Sequence, residues 1–402
     1  MFNHVAPYAG DPIFQLGEAF HNDPRSRKVN LTVGLYYDDE GKIPVLEVVA
    51  DAEQRLASQV RPRAYLPIEG LETYRQGVQE LLFGKDHPLV QAGRVATIQT
   101  VGGTGALRVG ADFLHRAYPD AQVWMSDPAW ENHHSIFQSA GIPTHSYPYH
   151  DPATQSVAFD RMLAEISGLA PHGIVLLHAC CHNPTGVDLS TEQWATLIDT
   201  MARRQLIPFL DLAYQGFGEG LEEDTVAVRA LADAGVSFLV ANSFSKNLSF
   251  YSERCGGLSV VCQTRDEADK VMGQLKSIAR ATYSTPPSHG GAVIATVLSD
   301  TELRQRWEQE VADMRNRILG LRQQVHEQLS ARLPEYDSSY FVRQKGMFTY
   351  TGLSDAQLQA LMDEHGVYII KSGRISVPGL NSSNIDYFCD SMTAVVGHSR
   401  TV

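Results

Sequence analysis

At 402 residues the chain is long enough to bury a large core and to form about two domains. Its 43% hydrophobic and 20% charged residues exclude a disordered or fibrous protein, and no apolar run approaches the ~20 residues of a membrane span. A formal net charge of -13 argues against nucleic acid as the main partner and leaves any anionic ligand to local arginines.

Met1 to Pro7 shows no basic region ahead of an apolar core, so no signal peptide is expected. The cysteines (Cys180, Cys181, Cys255, Cys262 and Cys389) lack CxxC spacing, which suits buried thiols in a reducing cytoplasm better than a disulfide framework. The opening stretch, residues 1–44, reads as an extended arm with a strand-like segment from Val29 to Tyr37. Such arms are often ordered by packing on a partner subunit. Apolar spacing predicts a helix from Leu46 to Val60, stopped by Arg61-Pro62-Arg63. Strands are then predicted at Val95 to Val101, Gln122 to Met125, Gly173 to Cys181, Leu206 to Leu212 and Phe238 to Ala241. Gly102-Gly103-Thr104-Gly105 reads as a turn leading into a helix from Ala106 to Leu114. Strands alternating with helices imply βαβ units and a mainly parallel sheet, which binds ligands at the C-terminal ends of its strands. Ser299 and Glu302 match a capping box for a long helix with apolar positions from Leu303 to Leu329. Its length suits a bridge between a large domain, 45–312, and a small α+β domain, 313–402, to which residues 1–44 contribute.

The residues that could carry chemistry gather at the strand ends. Ser243-Phe244-Ser245-Lys246 follows Phe238 to Ala241, and Arg254 stands a little further on. A lysine just past a buried strand is poorly placed as a solvated charge; desolvation would lower its pKa and expose a nucleophilic amine. Two hydroxyls and an arginine around it suggest a phosphate beside that amine, the anatomy that pyridoxal phosphate requires. Taken alone, these residues fit a strand-end lysine salt-bridged to a helix equally well. Asp211 finishes a hydrophobic strand, either as a capping or ion-paired aspartate or as the partner that keeps a pyridinium nitrogen protonated. Tyr214 could bond the phenolic oxygen of such a ring; Asn183 could donate to the same atom or simply make an Asx-turn. The N–H groups of the Gly102 turn could bind phosphate, and Trp130 could cover the ring or pack in its loop. Arg374 and Arg280 are the candidates for substrate carboxylates, because an arginine fork matches a carboxylate bidentately.

Other constellations fail. Cys180-Cys181-His182 is too tight for a zinc site, and His133-His134 has no accompanying HExxH, so no metal is expected. Ser243-x-x-Lys246 and Lys371-Ser372-Gly373 match two motifs of penicillin-recognising enzymes, but the element required between them is missing.

Together, Cys180-Cys181-His182-Asn183-Pro184-Thr185-Gly186, Asp211-x-x-Tyr214-Gln215-Gly216-Phe217-Gly218, Ser243-Phe244-Ser245-Lys246, Arg254 and Ser372-Gly373-Arg374 resemble the class I, fold-type I aminotransferases of the aspartate/aromatic subgroup. The similarity runs from about Asp11 to the C-terminal region. It implies an α/β fold in which helices flank a mainly parallel seven-stranded sheet, with a smaller α+β domain beside it. It implies pyridoxal phosphate as cofactor and a ping-pong exchange between amino acids and 2-oxo acids. Lys246 would be the Schiff-base lysine and proton shuttle, Asp211 the pyridinium partner, and Asn183 and Tyr214 the ligands of the phenolic oxygen. Gly103, Thr104, Ser243, Ser245 and Arg254 would hold the phosphate, with Trp130 on the ring and Tyr65 reaching the phosphate of a neighbouring subunit. Arg374 would clamp the α-carboxylate, and Arg280 of the neighbour the distal carboxylate of a dicarboxylic substrate, while Gly34, Trp130 and Asn183 would border the substrate. A homodimer with shared active sites follows.

Several positions depart from the pattern of aspartate-preferring members. Thr285 replaces a typical asparagine, and Leu35, Tyr37 and Ile43 stand where Val, Lys and Thr are common. Such apolar and aromatic replacements favour an aromatic substrate, whereas Arg280 retains acceptance of dicarboxylates. The expectation is transfer from tyrosine, phenylalanine or tryptophan, and from aspartate, to 2-oxoglutarate. An aspartate-preferring enzyme, a lyase or decarboxylase sharing Lys246 and Asp211, and a non-catalytic regulator are the rivals.

Overall fold

The computed structural model describes residues 1–7, 10, 12–60 and 62–398. The chain divides into two compact units, Pro44–Arg317 and Met1–Ile43 with Ile318–Val402. The larger unit is built on seven strands: β1 (Val95–Val101), β2 (Val123–Asp127), β3 (Thr144–Pro148), β4 (Ile174–His178), β5 (Ile207–Leu212), β6 (Phe238–Ser243) and β7 (Cys255–Val261). They lie in the order β1-β7-β6-β5-β4-β2-β3. Only β7 runs antiparallel to its neighbours; the other pairings are parallel. The central strands read as continuous apolar runs because both of their faces are covered, so neither face can carry the polar alternation of a half-exposed sheet.

Helix α1 (Gly102–Ala117) lies on this sheet through Leu107, Val109 and Leu114, all buried. A Cβ on Gly110 would come 2.5 Å from the Phe209 ring of β5, so glycine is what permits the close approach. The helix begins at Gly102 itself: the predicted glycine-rich turn is the first helical turn, entered through Gly102 at φ +68. That shift places the N–H groups of the helix start at the end of β1, with that of Gly102 bonded to the Arg254 carbonyl.

Strand β4 stops at His178 rather than Cys181. Cys181 takes φ +51, and the N–H groups of Cys181 and His182 donate to the Asp188 carboxylate at 2.7 and 2.9 Å. A local carboxylate thus replaces the ladder, something an apolar run cannot reveal. The helix predicted to end at Val60 spans Glu47–Ala57; Arg61 of its predicted stop, like Asp11, lies outside the described residues.

Helix α2 (Thr301–Arg332) has its apolar stripe buried from Leu303 to Leu329. Its cap is Asp300, whose Oδ1 accepts the Leu303 N–H at 3.0 Å; Ser299, the predicted cap, ends the preceding helix Ser288–Ser299. The smaller unit pairs β8 (Phe348–Tyr350) antiparallel with β9 (Arg374–Ser376), and pairs Val29–Asn30 with Val367–Tyr368. The rest of the segment predicted as strand to Tyr37 is loop rather than strand. Among the described residues no helix is long and apolar enough to cross a membrane.

Candidate active site

Within the larger unit, the C-terminal ends of β4, β5 and β6 bring the predicted residues together. Asp211 is 5% exposed, and its Oδ2 accepts from His133 Nε2 at 2.8 Å, with His178 Nε2 at 4.0 Å. Desolvation alone would raise its pKa. The His133 hydrogen bond, with the electrostatic influence of His133 and Lys246, outweighs that and holds the carboxyl below its usual value. Asp211 is therefore a buried, ionised carboxylate. Burial drives His178 down to about 4, so its ring is neutral beside it. His182 is also neutral: burial, chiefly, lowers its pKa well below normal. The Ser126 hydroxyl proton is spent on the Pro128 carbonyl at 2.9 Å, so His182 Nε2 donates to Ser126 Oγ at 2.8 Å and its Nδ1 accepts from Thr185.

Lys246 follows β6 half-buried, its Nζ 5.2 Å from the centroid of the Tyr214 ring. The Tyr214 hydroxyl meets Asn183 Nδ2 at 3.5 Å, and both residues are buried. Trp130, at the start of helix Glu131–Ser139, stands edge-on to His133 with ring centroids 5.1 Å apart.

Beside these lies a cradle of donors. Ser243 Oγ donates to Ser245 Oγ at 3.2 Å and accepts the Ser245 N–H, while Arg254 Nη1 reaches Ser245 Oγ at 3.4 Å. Arg254 sits at φ +54, its carbonyl accepting the Gly102 N–H at 2.9 Å, so the guanidinium and the start of α1 share one corner. A Cβ on Gly102 would lie 2.5 Å from Arg254 Nη2, and one on Gly103 3.1 Å from Ser243 Cβ. Glycine keeps this corner open. Two hydroxyls, a guanidinium and the N–H groups of a helix start, including those at Gly103 and Thr104, are a donor set that fits a phosphate monoester. A buried carboxylate, an amine, a phenol and an amide alongside fit the ring of a phosphorylated pyridine aldehyde.

In the smaller unit Arg374 is 4% exposed, donates from Nη2 to the Thr32 carbonyl at 2.7 Å and lies over the Phe348 ring at 4.2 Å. A Cβ on Gly34 would come 2.7 Å from Cζ of that same ring. Two predicted residues stand apart from both clusters. Tyr65 is 91% exposed, and Arg280 is exposed with its Nη1 donating to Ser284 Oγ.

Sequence reasoning missed His133 and His178 as partners of Asp211. In the sequence, His133 beside His134 points only to metal ligation. The signal for His178 was available: it closes an apolar strand that pairs in register with the strand of Asp211.

Residues 26–392 match the family model described as aminotransferase class I and II. The chain is 53% identical over 397 residues to the aromatic-amino-acid aminotransferase of Escherichia coli (strain K12), with 98% of this chain and 100% of the relative covered. It is 48% identical over 396 residues to the aspartate aminotransferase of Pseudomonas aeruginosa, with the same coverage. Its fold is similar to the crystal structure of an aromatic-amino-acid aminotransferase from Burkholderia pseudomallei covalently bound to pyridoxal phosphate. The TM-score is 0.97 at 49% identity, covering 98% of this chain and 99% of that one.

Proposed function

The chain belongs to the class I and II aminotransferases and transfers amino groups; on that premise we propose that it moves the amino group of aromatic amino acids, and of aspartate, to 2-oxoglutarate with pyridoxal phosphate as cofactor. The observation that carries this reading is the ionised Asp211 at a strand end, next to Lys246 and the phosphate-shaped corner. When bound, the cofactor supplies an aldehyde to receive the amino group and a ring to take up the electron pair released at the α-carbon. Lys246 would hold it by its amine and, once released, carry the α-proton. Asp211, kept ionised by His133, would hold a proton on the ring nitrogen. Asn183 and Tyr214 would bond the phenolic oxygen, and Trp130 would cover the ring. Ser243, Ser245, Arg254, Gly103 and Thr104 would hold the phosphate.

Arg374 would take the substrate's α-carboxylate, with Gly34 beside it. Tyr65 and Arg280, exposed on a single chain, would complete the site of the partner subunit in a homodimer. The aromatic preference is supported by Leu35, Tyr37 and Ile43 and by the name of the Escherichia coli relative, and acceptance of dicarboxylates by Arg280. Five buried free thiols suit a cytoplasmic location.

The test compares half-reaction rates of the cofactor-loaded enzyme mixed separately with phenylalanine, tyrosine and aspartate. A measurable rate with all three is expected. No rate with phenylalanine would leave an aspartate-specific enzyme, and a fully active Lys246→Ala variant would remove the proton-transfer role.

A further inference from the structure

Arg322, in the smaller unit's part of α2, is only 1% exposed. Its Nη1 donates to the Phe341 carbonyl at 2.8 Å and to Thr349 Oγ1 at 2.7 Å. Its Nη2 donates to the carbonyls of Gly346 at 2.7 Å and Phe348 at 2.6 Å. Burying a guanidinium is unfavourable unless such bonds replace its water, and an aliphatic side chain of similar volume would fill the space without that penalty. What the fork adds is direction. It draws helix Tyr340–Arg343, the turn at Gly346 (φ +74) and β8 to one point.

Phe348, whose carbonyl Arg322 holds, is the residue over whose ring the Arg374 guanidinium lies at 4.2 Å. The ring has no slack on its far edge, where Gly34 leaves no room for a Cβ. Strands β8 and β9 keep the two residues in register, with Tyr350 opposite Arg374 and Phe348 opposite Ser376. Arg374 is therefore fixed from two sides, by the Thr32 carbonyl at its Nη2 and by the Phe348 ring against its face.

We propose that Arg322 is a positioning residue for the substrate carboxylate: by gripping the Gly346 and Phe348 carbonyls it sets the ring against which Arg374 is aimed. This rests on the reading of Arg374 as the carboxylate clamp. The fork matters as well as the charge, because a lysine cannot bond four acceptors spread across one plane.

The experiment titrates the cofactor-loaded enzyme with phenylpropionate, a carboxylate without an amino group, and follows cofactor absorbance. Arg322→Met and Phe348→Leu should each weaken binding roughly tenfold or more, since both leave Arg374 misdirected. The double variant should be no weaker than the worse single, because both changes act through one ring. Arg322→Lys should fall between Arg322→Met and the wild type, and cofactor affinity should be unchanged throughout. Should Arg322→Met fail to fold, Arg322→Lys and Phe348→Leu carry the same test. Wild-type phenylpropionate affinity in the Arg322 variants, with only a lower melting temperature, would overturn the inference; so would losses that add in the double variant. Arg374→Ala separates the two levels. Loss there without loss in the Arg322 variants sinks the inference alone, whereas wild-type affinity in Arg374→Ala sinks the clamp reading beneath it.

Discussion

Replacing Gly102 by alanine should damage cofactor binding more than folding. Gly102 sits at φ +68, where an L-residue with a Cβ costs about 1 kcal/mol. The new Cβ would lie 2.5 Å from Arg254 Nη2 and 3.0 Å from its Cζ, far inside contact distance. The backbone cannot yield easily. The Gly102 N–H is bonded to the Arg254 carbonyl, the Gly102 carbonyl accepts from Thr100 Oγ1, and Gly256 packs against the Gly102 carbonyl carbon. The guanidinium therefore moves, and the charged hydrogen bond it would give the phosphate of a bound cofactor is lost. Such a bond is worth about 1.5–3 kcal/mol, and the low end applies because Arg254 is exposed on the single chain. Cofactor affinity should fall roughly tenfold. The assay adds pyridoxal phosphate to the apoenzyme and follows its absorbance, with the melting temperature of the apoenzyme measured in parallel. Wild-type affinity in Gly102→Ala would show that this corner does not hold the phosphate.

His178, neutral in the fold with a pKa near 4 against an ordinary 6.5, makes the unfolded chain the stronger proton binder between those values. Stability should therefore be complete above pH 6.5 and decline toward pH 4, by on the order of 3 kcal/mol, and melting profiles of His178→Gln should be flatter over that window. A parallel decline in the variant would contradict this. Arg280→Ala should lower kcat/KM for aspartate at least tenfold while phenylalanine loses much less, as expected of a lost distal-carboxylate contact; equal losses would make Arg280 structural. Refolding Arg280→Ala together with Arg374→Ala should recover about a quarter of wild-type aspartate activity, because half the dimers are hybrids with one intact site. No recovery would argue against shared sites.

The sequence showed the sheet well where burial is two-sided. Val95 to Val101 and the runs ending at Leu212 and near Ser243 are strands because their apolar continuity has no other stable use. It was weaker where a side chain overrides the local pattern. Asp188 ends β4 early, and Asp300 rather than Ser299 caps α2. The strand-end residues Asp211, Asn183, Tyr214 and Lys246 were legible because ionisable and polar groups stand out against apolar strands. Their partner His133 comes from a helix distant in sequence, and the pair exists only through the packing of that helix on the sheet. Arg322 reads in the sequence as one more basic residue of a charged helix. Its carbonyl partners lie beyond the helix in loop and strand, and only the fold reveals them.

The central claim is stoichiometric amino transfer, and a single-turnover experiment tests it most directly. The enzyme loaded with pyridoxal phosphate is mixed with excess tyrosine and no acceptor. One equivalent of the aromatic 2-oxo acid per active site should form, the cofactor absorbance should change once and stop, and 2-oxoglutarate should restore it with one equivalent of glutamate. Continuous product release without an acceptor, or no spectral change with tyrosine, would contradict the account.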